Sequence, residues 1–326
     1  MTATMQEAIG RVLRLTAVIG GLLLTTLACP AQSLGKREIA VEKSRAAQLS
    51  GQLLAAARQQ LVLVDERIAR LSSDESARLT SFVVGNLYFV LAHELGHAVI
   101  SQLNLPVLGR DEDAADSFAT LSMLLIDTGL SDTVLREAVR GFFLIAQRDK
   151  SEDQLPAIYD EHSLDMQRAF QIVCLMVGAH PKTFQDVAAT AKMPPERQKS
   201  CGYDFKRAAY SWESLLADRG RDTSKPRSFF KRSLARKSSA DGGSRLRVKY
   251  NQPDSGSGYR NVLKAAGVLE TLAAFGRKSL SLPRPITIKA MKCDQPVAYW
   301  DDREREVVIC FELVGEFIEL GLRANE

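Results

Sequence analysis

Histidine is nearly absent from this chain, with four in 326 residues. No His or Cys falls in zinc-finger spacing, which excludes that class of metal-stabilised module. A dominant charge of one sign is lacking too. Lys and Arg outnumber Asp and Glu by 43 to 39, and the net +4 assigns no partner by itself. Hydrophobic and charged fractions of 45% and 25% are ordinary for a soluble globular protein. The uncharged run from Leu15 to Ala28 is too short to span a bilayer comfortably. It follows Arg11 and Arg14 and precedes the small residues Ala28, Cys29 and Ala31, as a signal peptide over 1–31 would. Cleavage after Ala31 gives an exported protein, periplasmic or secreted. Processing before Cys29 gives a lipoprotein, although Thr26 stands where such signals prefer Leu. An uncleaved N-terminal anchor is the third option. An exported protein meets no nucleic acid, so none is expected as a partner.

Cysteine is also scarce. Cys29 lies at the processing region, which leaves Cys174, Cys201, Cys293 and Cys310. An even number fits two disulfides in an oxidising compartment. Cys174–Cys201 and Cys293–Cys310 each fall within one segment and are the favoured pairs among three possible connectivities.

Proline is missing from Ser81 to Leu103, a run apolar almost throughout, which predicts a buried helix. Inside it stands His93-Glu94-Leu95-Gly96-His97. Residues i and i+4 share a helix face, so both imidazoles point one way and can bind one Zn²⁺. Glu94, one residue on, suits a general base acting on metal-bound water. A single buried His is usually a satisfied core residue. Two His and a Glu inside an apolar helix are harder to explain as packing, because unpaired polar groups cost several kcal/mol to bury, on the order of 2–7 each.

A zinc site needs a third protein ligand and keeps a position for water. Asp111-Glu112-Asp113-Ala114-Ala115-Asp116 opens the next apolar helix. Acids favour helix starts, but four in six residues exceed what capping requires. Glu112 and Asp116 share a face. One can ligate the metal while the other accepts the second N–H of a ligand His. Asp113 is the rival third ligand.

His-Glu-Leu-Gly-His followed by Glu112-x-x-x-Asp116 resembles the gluzincin class of zinc metallopeptidases, whose third ligand is a Glu on the next helix. The longer text is more specific. Leu105 to Asp116, His162-x-x-Asp165-x-Gln167-Arg168 with Cys174, and Cys293 to Glu312 resemble a bacterial family of unknown-function domains regarded as zinc metallopeptidases. The resemblance spans about residues 75–215 and 246–322. It implies His93, His97 and Glu112 as ligands, Glu94 as base, Asp116 behind a ligand His, and no particular substrate. In that family the β segment with the paired Cys usually precedes the His-Glu-x-x-His helix. Here it follows, as a circular permutation would leave it. The expected fold is α+β and mostly helical: a zincin-like helical unit with a small antiparallel or mixed β-sheet unit packed against it.

The rest of the chain fits that plan. Residues 36–71 form a helical segment, and Ser72 to Glu75 a stop and restart. Residues 75–217 read as helices. His162, at the start of a helix over 160–178, is a candidate donor to the oxyanion on an attacked carbonyl, with Tyr159 and Arg168 as competitors. Residues 218–245 form a flexible linker, within a basic stretch over 219–249 that suits an anionic membrane surface or cell-wall polymer. Residues 246–326 read as strand 246–250, helix 259–280, strand 286–291, a hairpin and a final helix. An edge strand there would lie beside the zinc, where an extended peptide substrate can add as another strand. The expected activity is zinc-dependent peptide hydrolysis. The alternatives are a zinc amidase on cell-wall peptides and a non-catalytic zinc-containing scaffold of the envelope.

Overall fold

The computed structural model describes residues 31–126, 129–151, 160–217, 245–252 and 258–324. The expected signal segment up to residue 30, the linker over 218–244 and Tyr159 lie outside them. The chain divides into two compact units, Met1–Glu42 and Lys43–Glu326. Of the first, the described part is helical backbone from Ala31.

The elements run α1 (Ala31–Val64), α2 (Glu66–Ala69), α3 (Ser73–Leu103), α4 (Asp111–Ile126), α5 (Gly129–Ser151), α6 (Asp165–Ala179), α7 (Pro181–Thr190), α8 (Pro195–Ala217), β1 (Leu246–Tyr250), α9 (Gly258–Ala266), α10 (Val268–Ser279), β2 (Ile286–Met291), β3 (Ala298–Asp301), β4 (Glu306–Cys310) and α11 (Glu312–Arg323). The fold is α+β and mostly helical, as expected.

Helix α3 is the axis of the larger unit. Ser72 caps it: its hydroxyl accepts from the Glu75 N–H, and the Glu75 carboxylate accepts from the Ser72 N–H. Asn104 ends it in the left-handed conformation, φ 46°. By length and composition α3 would pass for a membrane span, yet 89% of its apolar window is buried in protein. Helices α4, α5, α10 and α11 and strands β3 and β4 all pack against it. A helix apolar on every face needs such a jacket to exclude water.

The four strands form a mixed sheet in the order β1-β2-β4-β3. Strands β1, β2 and β4 are parallel, and β3 pairs antiparallel with β4, Ala298 opposite Ile309. Strand β2 alternates buried and half-buried residues, as one covered face requires. Strand β4 is buried from Val307 to Cys310. Both halves of the unit feed one hydrophobic core, from Leu61 and Phe82 to Val262, Ile309 and Phe317. The disulfides are Cys174–Cys201, joining α6 to α8, and Cys293–Cys310, joining the turn after β2 to the end of β4.

Several local expectations need correction. The helix over 36–71 breaks at Asp65, which is extended (φ −144°, ψ 114°) because its carboxylate accepts the Arg67 N–H and caps α2. The helix over 160–178 starts at Asp165. Residues before it turn instead, with the Asp160 carboxylate accepting the His162 N–H. It also runs through Gly178, where the Cys201 carbonyl of α8 approaches too closely for a Cβ. The helix over 259–280 splits at Gly267, which is left-handed at φ +63°.

That split is where α3 grips the C-terminal part. Buried Tyr88 donates its hydroxyl to the Ala266 carbonyl at 2.9 Å, with Gly267 O and Thr271 Oγ1 each at 3.1 Å. Tyr88→Phe strips those groups of a partner inside the core. It should lower unfolding stability by about 1–3 kcal/mol in a denaturant titration, with metal content unchanged.

Candidate metal centre

The centre assembles from three segments. Helix α3 places His93 and His97 one turn apart with Glu94 beside His93, and buries His93 and Glu94. The first turns of α4 supply Glu112 and Asp116. The turn before α6 supplies His162. Gly96 sets how close α4 comes. A Cβ there would stand 3.1 Å from Ala115 Cα and 3.3 Å from the Ala115 carbonyl oxygen, so any side chain would push α4 outward. The motif's two free positions are therefore not equivalent, because Gly96 brings Glu112 within reach of the imidazoles.

The donor atoms converge, with the Glu112 carboxylate bridging the two imidazoles. His93 Nε2 lies 3.0 Å from Glu112 Oε2 and 3.1 Å from His97 Nε2, and His97 Nε2 lies 3.2 Å from the other carboxylate oxygen, Glu112 Oε1. A tetrahedral ion with bonds near 2.0–2.1 Å separates its donors by about 3.3 Å, and each of these separations is of that size. His93 donates Nδ1–H to Asp116 Oδ1 at 2.8 Å, which leaves its Nε2 lone pair facing another imidazole nitrogen and a carboxylate. Three acceptors converging in a buried place need a cation or protons between them.

Asp116 is fully buried and gripped from the other side. Arg168 donates Nε to Oδ2 at 2.7 Å and Nη2 to Oδ1 at 2.9 Å, and its guanidinium lies 4.3 Å over the Phe142 ring. Burial works against the Asp116 charge, but Arg168 and His93 outweigh it and hold the carboxyl below its usual range. Arg168, a competitor for the oxyanion, is thus committed to Asp116. Burial also opposes the Glu112 charge. Hydrogen bonds from His162, His93 and His97 prevail, and keep Glu112 ionised far below the usual carboxylate range. Asp113 turns its carboxylate to the Ser163 hydroxyl at 2.6 Å, while Glu112 carries both oxygens to the imidazoles. Burial pushes the Glu94 carboxyl up, against the pull of His93 and His97.

His162 joins the cluster although it precedes the helix it was expected to start. Its Nε2 lies 2.9 Å from Glu112 Oε2 and its Nδ1 3.0 Å from Asp160 Oδ1. Asp160 escaped the sequence reading, although an Asp two residues before a turn His is the signal of an Asx turn. A second grouping, Cys293, Cys310 and Glu312, offers no thiolate, because both sulfurs are in the disulfide. Glu312 there accepts the Cys293 and Asp294 N–H groups. The expected neighbour sheet is in place: β3, at the sheet edge, and β4 pack on α3, and Ser101, one turn past His97, donates to Asp302 in the hairpin.

Two imidazoles and a glutamate on adjoining helices, with a buried acid behind one imidazole, form a donor set able to hold a divalent metal. The chain belongs to the family DUF4344, described as "Putative metallopeptidase", whose match covers residues 57–216 and 250–326. No curated protein and no solved structure matches the chain.

Two outcomes follow from this geometry. Gly96→Val should leave α3 in place but displace α4, weakening divalent-metal affinity by about 10-fold or more in a chelator competition. The second concerns pH. Burial opposes a charged His93, but Asp116 and Glu112 raise its pKa to about 9. Its proton therefore stabilises the metal-free fold fully below the unfolded value of 6.5, and that stability is lost as pH rises through about 9. A metal needs the same nitrogen unprotonated, so metal affinity rises over that window. Thermal midpoints of chelator-treated and metal-loaded protein should diverge with increasing pH.

Proposed function

We propose that this chain is an exported, zinc-dependent metallopeptidase. The observation that carries the proposal is the convergence of His93 Nε2, His97 Nε2 and the two Glu112 carboxylate oxygens, one facing each imidazole, at 3.0–3.2 Å, with Asp116 behind His93. Two imidazoles and one carboxylate are a donor set that suits zinc. Bound there, zinc would supply a Lewis acid for a peptide carbonyl and would acidify water.

The chain's own residues do the rest. Asp116, held by Arg168, fixes the His93 ring with its Nδ1–H pointing away from the centre. Glu94 takes a proton from the attacking water on its carboxylate and returns it to the leaving amine nitrogen. A carboxyl raised by burial is suited to both transfers near neutral pH. His162, on the same cluster, donates to the oxyanion as the carbonyl is attacked. Strand β3, at the edge of the sheet and packed on α3, offers a backbone edge to an extended peptide. The two disulfides suit an oxidising compartment and so support export. The basic stretch over 219–249 would hold the enzyme near anionic lipid or cell-wall polymer.

Zinc content of the purified chain, beside Glu112→Ala and Glu94→Gln, tests the proposal. One zinc per wild-type chain is expected, lost or much weakened in Glu112→Ala. Glu94→Gln should retain zinc and fold while casein hydrolysis falls by about 10²–10⁴-fold. Zinc retained by Glu112→Ala would remove Glu112 as the third ligand. A wild-type chain that binds no zinc when refolded with it would remove the proposal.

A further inference from the structure

We propose that His162 closes the metal centre of the substrate-free protein as a fourth protein ligand, and that substrate gains the metal by displacing it. This inference rests on the metallopeptidase proposal and adds a latent state to it.

The two imidazoles flanking Glu112 are held alike. His93 gives Nδ1–H to Asp116 at 2.8 Å and turns Nε2 to Glu112 Oε2 at 3.0 Å. His162 gives Nδ1–H to Asp160 at 3.0 Å and turns Nε2 to the same oxygen at 2.9 Å. A carboxylate behind one ring nitrogen fixes the tautomer and sends the other lone pair forward, which is how metal-ligating histidines are held. One donor atom from each of His93, Glu112 and His162 lies within 4.8 Å of the other two.

The backbone carrying His162 is fastened to the turn that carries Glu112. Arg110 donates to the His162 carbonyl at 2.8 Å, and the Ser163 hydroxyl donates to Asp113 at 2.6 Å. The side chain is less confined than its backbone. It is 48% exposed, against 6% for His93, 17% for His97 and 14% for Glu112. Four protein donors make a closed site, whereas catalysis needs an open position. Of the four, His162 is the one able to rotate away without unseating a helix.

X-ray absorption of the zinc-loaded full chain counts its imidazole ligands. Three are expected in the wild type and two in His162→Ala, with zinc affinity lower by about 10–100-fold in chelator competition. Added free imidazole should restore the third. Asp160→Asn, at an exposed side chain, should give an intermediate affinity and keeps the proposal testable if His162→Ala does not fold. Two imidazoles in zinc-loaded wild type would overturn this inference and leave the metallopeptidase proposal standing. A His162→Ala chain with unchanged zinc affinity and a lower kcat would also overturn it, making His162 an oxyanion donor alone. A wild type without zinc would overturn both.

Discussion

A polar cluster in the middle of an apolar helix cannot be satisfied by that helix. His93, Glu94 and His97 interrupt the apolar run of α3, and the backbone there is already occupied by its own ladder. Every partner must come from elsewhere in the fold. Helix α4 brings Glu112 and Asp116, α6 brings Arg168, and the turn before α6 brings His162. Unpaired, these groups would each cost on the order of several kcal/mol. Paired, they tie three segments to one point, and the placement of α4 and α6 around α3 follows from that requirement as much as from apolar packing.

The C-terminal part belongs to the same constraint. The apolar surface that α4 and α5 leave on α3 needs cover, and α10, α11 and the sheet also pack on it. Tyr88 adds a directional contact, reaching the carbonyl of Ala266 across the core. The Cys293–Cys310 bridge fastens the turn after β2 to the end of β4, while the turn at the other end of β4 meets Ser101 through Asp302. That second contact ties the sheet edge to the helix that carries the imidazoles, and Cys174–Cys201 ties α6 to α8.

What the sequence revealed, and what it hid, divides along one physical line. Spacing rules are local, so His93 and His97 on one face, Glu112 and Asp116 on the next helix and the four strands could be read directly, while the disulfide pairs were only favoured among three connectivities. Gly96 was visible, but its use was not, since its close partner Ala115 is nineteen residues away on the next helix. The breaks at Asp65 and Gly267 were missed because an apolar stripe continues across both. Only the Asp65 carboxylate bond to Arg67 and the left-handed φ of Gly267 mark them. Helix α7 is opened by Pro181, whose missing N–H costs nothing at a helix start. Arg168 was read as an oxyanion candidate because its partner, Asp116, is fifty-two residues distant in sequence.

The charges of the centre supply the last step. Arg168 balances Asp116 in a buried pair. Glu112 and Glu94 remain beside imidazoles that are neutral in their ordinary state near pH 7. In the metal-free protein protons compensate instead: Asp116 and then Glu112 raise His93 to about 9 in spite of its burial, and Glu112 raises His162. A divalent cation among His93, His97 and Glu112 makes those protons unnecessary and leaves ionised Glu94 and Glu112 balanced by two positive charges. Burying a balanced set costs far less than burying a charged one. The same arithmetic separates the ligand role from the base role. Glu112 is held ionised by its three histidine contacts, while burial lifts Glu94 toward the range where it can accept a proton and release it.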